Sequence, residues 1–281
     1  LVTSVPLPSA GGAPVAVARD GRIIGMCERP RSHALPTVDS TMLDMLFSRF
    51  SVEAVLELLS YLLTSHSVLV VSENVDMLTP VSEAIFSLLF PMRLEHIYIP
   101  VLPPSSQYVG YLRAPVPLFA GLHVSALDLV FADARGTVDV VVANIDTGRI
   151  VPPIDRQAEG SPPIVLIPDS IRRITAREIR KHIHPVVGDG GKNRRCHVTV
   201  DAHYVHTSCV RMMCALLDGF SPKIMDLSVK SNDPFVGGHP GDVERVERIC
   251  RDPFFAQLFE SQTWVTFVDE YLHRVNVSLE R

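Results

Sequence analysis

"LEHIYIPVLPPSSQYVGYLRAPVPLFAG" (residues 94–121) sets two apolar runs on either side of a segment stiffened by proline. The first run, 96–102, is β-branched and aromatic, too short for a helix, and reads as a buried strand. Pro100, Pro103, Pro104, Pro115 and Pro117 follow in quick succession, and a second strand-like run occupies 116–122. Each proline fixes φ and removes a backbone donor, so the segment is held in one shape at little ordering cost. Such a loop either stops strands and keeps an edge from pairing, or it presents a rigid surface. Composition leaves both readings open.

Working outward, Val52, Val55, Leu56, Leu59, Leu62 and Leu63 recur at helical spacing behind Ser51, a candidate N-cap. "SVLVVS" (67–72) is another apolar, β-branched run. "MLTPVSEAIFSLLF" (77–90) places Val81, Ile85, Leu88 and Leu89 on one helical face, with Pro80 expected in the first turn. "VDVVVANID" (138–146) is a fourth strand-like run. Strand, helix and strand repeated in this way predict an α/β fold with a mostly parallel central sheet covered by helices. Stiff loops at the C-terminal edge of parallel strands are where such folds place binding surfaces.

The flanks are organised differently. Residues 1–40 are punctuated by Pro and Gly and read as a lead-in, with a hairpin-like pattern around Asp20-Gly21. "DTGRIVPPIDRQAEGSPPIVLIP" (146–168) reads as a turn and a Pro-rich connection, the clearest internal boundary. Beyond it the pattern is helical over 169–183, 203–220 and 252–274, the last with Asp252 as N-cap and Pro253 at the first helical position. "VVGDGGKNRR" (186–195) and "SNDPFVGGHPGD" (231–242) read as loops. The expected organisation is therefore a lead-in over 1–40, an α/β core over 41–150, a Pro/Gly-rich connection with a helix over 151–200, and a helical region over 201–281.

Composition narrows the function. The 281 residues are 47% hydrophobic with a mean hydropathy of +0.22, enough for a well-buried core. A formal net charge of -5 and a pI near 6.1 argue against a nucleic-acid surface. Five cysteines, odd in number and without a C-x-x-C pair, favour a reducing compartment over a disulfide framework or zinc ribbon. No apolar run reaches the roughly 18 residues of a spanning helix.

Catalytic motifs fail one by one. "GDGGKN" (188–193) lacks the Walker spacing and has Asn193 where Ser or Thr would hold Mg²⁺, and neither G-x-G-x-x-G nor G-x-S-x-G occurs. Ser67 opens an apolar strand instead of the exposed turn a seryl nucleophile needs. His182, His184, His197, His203 and His206 cluster in sequence, but with no H-E-x-x-H and only Asp201 nearby they are expected to be surface or partly packed residues. Phe254, Phe255, Leu258, Trp264 and Phe267 read as core or interdomain packing in preference to a cofactor site.

"LLFPMRLEHIYIPVLPPSSQYVGYLRAPVPLFAGLHVSALD" (88–128) resembles the central signature of DENN domains: L-[LF]-[YF]-P, H-[IV]-Y-[IV]-P-[VI]-L-P, Y-L-x-A-P-x-P and G-[IL]-H-x-S. Residues 50–89 resemble the helix, strand and helix that precede it. Residues 138–150 resemble the strand and turn that close it, 251–271 the family's closing helices, and "VPLPSAGG" (5–12) its inter-lobe linker.

The resemblance implies the second DENN lobe and its helical tail without an upstream longin-like lobe. It implies a guanine-nucleotide exchange factor for Rab-type small GTPases in vesicle trafficking, acting without covalent catalysis, cofactor or metal. Exchange would follow from holding the nucleotide-free GTPase more tightly than the GDP-bound form. Tyr108, Tyr111, Arg113, Pro115, Pro117, His123 and Ser125 are the expected partner-binding residues, Tyr and Arg being favoured anchors. For Pro117 and Ser125 a purely scaffolding role is the competing reading. Expected partners are a Rab GTPase and the chain's own upstream lobe, in the cytoplasm and peripheral on endomembranes through partners only. A DENN-fold scaffold without exchange activity and an α/β metalloenzyme built on the histidines are the alternatives.

Overall fold

A computed structural model describes residues 8–9, 12–19, 21–28, 39–114, 116–131, 140–152, 165–186, 197–218, 220 and 240–279. The chain divides into two compact units, Leu1–Thr37 and Val38–Arg281. In the first, β1 (Val15–Arg19) and β2 (Arg22–Cys27) form an antiparallel hairpin. Its turn needs the φ of +72° that Gly21 supplies without Cβ strain. This is the hairpin expected there, although Asp20 itself lies outside the described residues.

The second unit opens with α1 (Ser40–Phe47) and α2 (Val52–Leu63). Ser51 caps α2 as expected, its hydroxyl accepting from the Ala54 amide at 3.2 Å. The apolar stripe of α2 is buried throughout, with Leu56, Leu59, Leu62 and Leu63 fully inaccessible. After β3 (Ser67–Ser72) comes α3 (Leu78–Ser87), with Pro80 in its first turn, where the missing N–H costs no helical bond.

β4 (Ile97–Leu102), β5 (Leu118–His123), β6 (Val140–Asn144) and β7 (Arg149–Val151) complete a five-stranded sheet in the order β4-β5-β3-β6-β7. The first four strands in that order are parallel and β7 closes the edge antiparallel to β6. The sequence reading covers β7 with a turn and a connection. Three residues, two of them exposed, are too short a run to show alternation.

Alternation along the strands divides the core. Val68, Val70, Phe119, Val141 and Ala143 face α1–α3 and the helical tail. Leu69, Val71, Ala120, Leu122, Val140 and Val142 face a thinner layer, made by the single-turn α4 (Ser106–Val109), its 3₁₀ continuation Gly110–Arg113, and α5 (Leu127–Phe131). Gly121 stands where β4 shifts register at Pro100. A Cβ there would overlap the Pro100 carbonyl and come within 3.1 Å of Leu78 Cβ.

The tail comprises α6 (Asp169–Arg180), β8 (Ile183–Val186), β9 (His197–Val200), α7 (Ala202–Leu216), α8 (Pro240–Ile249), α9 (Pro253–Glu260) and α10 (Gln262–Leu279). Asp252 and Pro253 start α9 as expected, the carboxylate accepting from the Phe254 amide at 2.9 Å. Three features differ from the helical reading. β8 and β9 pair as an antiparallel hairpin, disguised by His184, Pro185, His197 and Thr199 on its faces. Pro240–Asp242, read as loop, open α8. The single helix expected over 252–274 is two, because Ser261 is extended (ψ 142°) and its hydroxyl accepts from the Trp264 amide at 3.1 Å, ending α9 and starting α10. Trp264 and Phe254 are fully buried, and one apolar core runs from Leu43 through Val70 and Met213 to Val268.

Candidate functional site

The strand order fixes where the chain can present a crevice. From β3 the chain goes out to β4, returns to β5 beside β3, then crosses to β6 on the other side of β3. The connections therefore diverge at the C-terminal ends of β3, β5 and β6, the position at which open α/β sheets bind ligands.

Those three ends are tied into one polar rim. Asp146, past β6, accepts from the Ser72 hydroxyl at 3.1 Å and from the Glu73 amide at 2.6 Å, joining it to the loop after β3. Asn144 Oδ1 accepts from the Asp146 and Thr147 amides, both at 2.9 Å, which holds the turn that presents Asp146. That turn needs Gly148, whose φ is +67° and whose missing Cβ leaves room for the Arg49 carbonyl oxygen. His123, ending β5, sits 3.1 Å from the Glu73 carbonyl through Nε2, so that nitrogen donates. Nδ1 then accepts from the Ser125 hydroxyl at 2.7 Å. Glu73, Asp76, Asp128 and Asp146 are exposed along this edge.

Tyr108 and Tyr111 sit on the segment that leaves the same end of β4. Pro103 and Pro104 end the strand, and the Pro103 and Ser105 carbonyls start the turn of α4 by accepting from the Ser105 and Tyr108 amides. Val109 and Leu112 plug this turn into the thin face of the core. The tyrosines are left 40% and 55% exposed, with ring centroids 6.3 Å apart. α4 packs against α5, the helix that follows Ser125. Between α5 and β6–β7 lies an apolar hollow of about 260 Å³ lined by Leu127, Phe131, Val140, Val142 and Val151, with Arg149 at its side.

The sequence-chosen residues thus fall into groups. Tyr108, Tyr111, His123 and Ser125 lie on adjoining elements at the C-terminal edge. Pro117 lies at the opposite edge, its carbonyl accepting from the Ile97 amide at 3.1 Å, a strand's length of about 20 Å from His123. Arg113 is the last residue of the 3₁₀ turn, which the Ala114 amide closes by donating to the Tyr111 carbonyl at 3.0 Å, and Pro115 lies outside the described residues. The sequence reading passes over Asp146, Glu73 and Asn144, which hold the rim together. The signal for Asn144 and Asp146 is the D-T-G turn after an apolar strand, while Glu73 carries none of its own.

The histidines do not act as one cluster, although His182 and His184 both approach Asp201 Oδ2, at 3.7 and 3.4 Å. His206 is buried, with Nδ1 donating to the Ala202 carbonyl at 2.8 Å and Nε2 2.9 Å from the Ser87 hydroxyl, and burial holds its pKa below the ordinary value. His182 stacks on Tyr204 at 4.5 Å, and His184 lies 3.4 Å from Asp201. Among the described residues no three His, Cys, Asp or Glu side chains come together to hold a metal. Among them, too, no helix is long and apolar enough to cross a membrane.

Fold and rim define a doubly wound α/β lobe with a helical extension and a proline-braced, partly apolar edge. A family model for the DENN (AEX-3) domain matches residues 1–148, more than half of the chain, and the chain belongs to the DENN family. It is similar to human DENN domain-containing protein 1B, 31% identical over 165 residues covering 53% of this chain and 21% of that protein. It is similar to DENN domain-containing protein 1A of Mus musculus, 32% identical over 127 residues (45% of this chain, 12% of that protein). It is also similar to DENN domain and WD repeat-containing protein SCD1 of Arabidopsis thaliana, 33% identical over 156 residues (55% and 13%). The chain spans about a fifth or less of the length of these relatives.

Proposed function

We propose that this chain is a guanine-nucleotide exchange module for a Rab-type small GTPase in membrane trafficking, working in the cytoplasm and peripherally on endomembranes. The observation that carries the reading is DENN family membership over 1–148, a stretch that includes the exposed tyrosine rim. The rim suits the task physically. A GTPase is recognised by a convex, mobile switch surface, and a proline-braced turn with two exposed tyrosines meets it with little loss of its own entropy. Exchange needs only differential binding: every 1.4 kcal/mol by which the rim favours nucleotide-free over GDP-bound GTPase shifts the equilibrium about tenfold.

In this reading Tyr108, Tyr111, Arg113, Pro115, His123 and Ser125 meet the GTPase, and Pro117 acts by setting the start of β5. An upstream longin-like lobe supplies the other half of the cradle. The test is release of a fluorescent GDP analogue from a panel of Rab proteins, with the upstream lobe present. Acceleration for at least one Rab, reduced by Tyr108→Ala together with Tyr111→Ala, is expected. Failure on every Rab refutes exchange, and Rab binding without acceleration would support the scaffold reading instead.

A further inference from the structure

A basic face on the helical tail stands apart from the rim and from the acidic balance of the chain. α6 buries Thr175, Ala176 and Ile179, with Ile171 beside them, against α2 and α7. Helical geometry then turns Arg173, Ile174, Arg177, Arg180 and Lys181 outward. The side chains of these four cations are 80%, 70%, 56% and 57% exposed. Arg172 flanks them, and Arg211 on α7 is close enough to act on Glu178.

The nearby carboxylates are outnumbered. Asp169 is shared between Arg172 and Arg173, Glu178 between Lys181 and Arg177, and Glu53 pairs with Arg180. Both Asp169 and Glu178 are held below the ordinary carboxylate range by hydrogen bonds from these cations. With Glu57, close enough to Arg172 to feel its charge, six cations thus face four carboxylates in a chain whose formal charge is -5. Amid them Ile174 is 57% exposed, a large aliphatic side chain with its surface in water.

We infer that the outer face of α6 docks on an anionic lipid leaflet. A protein anchor needs a pocket, and a hot-spot interface sets its arginines in desolvated sockets. Here the cations stand on a convex helix face, over half exposed, which suits a surface of diffuse negative charge. Such a leaflet rewards each nearby Lys or Arg by about five-fold in partitioning and needs no shape complementarity. Ile174 is placed to enter the headgroup layer, as apolar residues of interfacial helices do. Because the chain as a whole is net acidic, its field favours approach of this basic face to the leaflet. The inference is independent of the exchange reading.

The experiment is co-sedimentation of the 281-residue chain with phosphatidylcholine vesicles, alone or with phosphatidylserine, at low and high salt. Binding should require phosphatidylserine, fall steeply with salt, and drop at least twenty-fold with Arg173→Glu plus Arg177→Glu. Arg248→Glu plus Arg274→Glu changes net charge equally at exposed sites elsewhere and should retain far more binding. Trp264 is buried, so an Ile174→Trp variant provides a surface reporter whose emission should shift to the blue on phosphatidylserine vesicles. No phosphatidylserine-dependent binding, equal loss in both double variants, or unshifted emission from the bound Ile174→Trp variant overturns the assignment. Binding confined to vesicles carrying a phosphoinositide at matched charge would overturn it too, since that demands a stereospecific headgroup site. Circular dichroism of each variant separates misfolding from lost docking.

Discussion

Replacing Gly121 by alanine tests whether the rim depends on a close approach between backbones. Gly121 lies in the middle of β5, on the α3 side, opposite the register shift at Pro100 of β4. An added Cβ overlaps the Pro100 carbonyl oxygen, which is backbone and cannot rotate away. On its other side it meets Leu78 Cβ at 3.1 Å, so it cannot lean toward α3. The strands must separate, and β4 carries Pro103, Pro104 and the tyrosine turn with it. Overpacking of this kind costs about 1–3 kcal/mol. The lost glycine entropy in the unfolded chain returns about 0.4–1 kcal/mol, leaving a net loss of roughly 1–2 kcal/mol. For a domain of this size that corresponds to a Tm roughly 2–8 °C lower. Gly110→Ala is the matched control, because nothing lies within 4 Å of a Cβ there. Differential scanning fluorimetry on both variants decides the matter: if Gly121→Ala melts with the wild type, β4 is not pressed against β5 and the argument fails.

Three further outcomes are expected. Tyr108→Ala with Tyr111→Ala removes exposed rings, so stability should stay within about 0.5 kcal/mol, while GTPase affinity falls roughly 30-fold or more if both are anchors; titration calorimetry against the responsive Rab checks the affinity and a urea melt the stability. Asp146→Ala strips the partners from the Ser72 hydroxyl and the Glu73 amide and should cost about 1–2 kcal/mol, with faster hydrogen exchange at Glu73 as the local readout; unchanged exchange there would show that Asp146 does not hold the rim. Burial holds the pKa values of His96 and His206 below the ordinary 6.5. The unfolded chain therefore takes up protons first as pH falls, so stability is complete above about 6.5 and declines below it, by up to about 1.4 kcal/mol per pH unit per histidine. Urea midpoints between neutral and mildly acid pH measure the slope, which His206→Gln should make shallower.

The strand, helix and strand periods of 51–146 were legible because each element buries a full stripe or face. β3 and β5 are inaccessible along almost their whole lengths, so their composition is nearly continuous apolar text. The family resemblance was legible for a related reason: proline and glycine have backbone requirements that few other residues meet. Where an element buries little, the text falls silent. β7 and the β8–β9 hairpin expose most of their residues, and the break at Ser261 turns on one ψ angle and one hydroxyl.

The site divides along the same line. The sequence by itself determined that a stiff segment with exposed-type aromatics follows a parallel strand, because local proline chemistry is enough to say so. It could not determine that Asp146, seventy-four positions from Ser72, closes the rim. Nor could it show that Pro117 lies a strand's length from His123, or that the arginines of α6 share one outward face with Ile174. Those facts depend on strand order and on which helix face is covered. Only the tertiary structure decides them, because it brings together residues whose sequence separation carries no local signal.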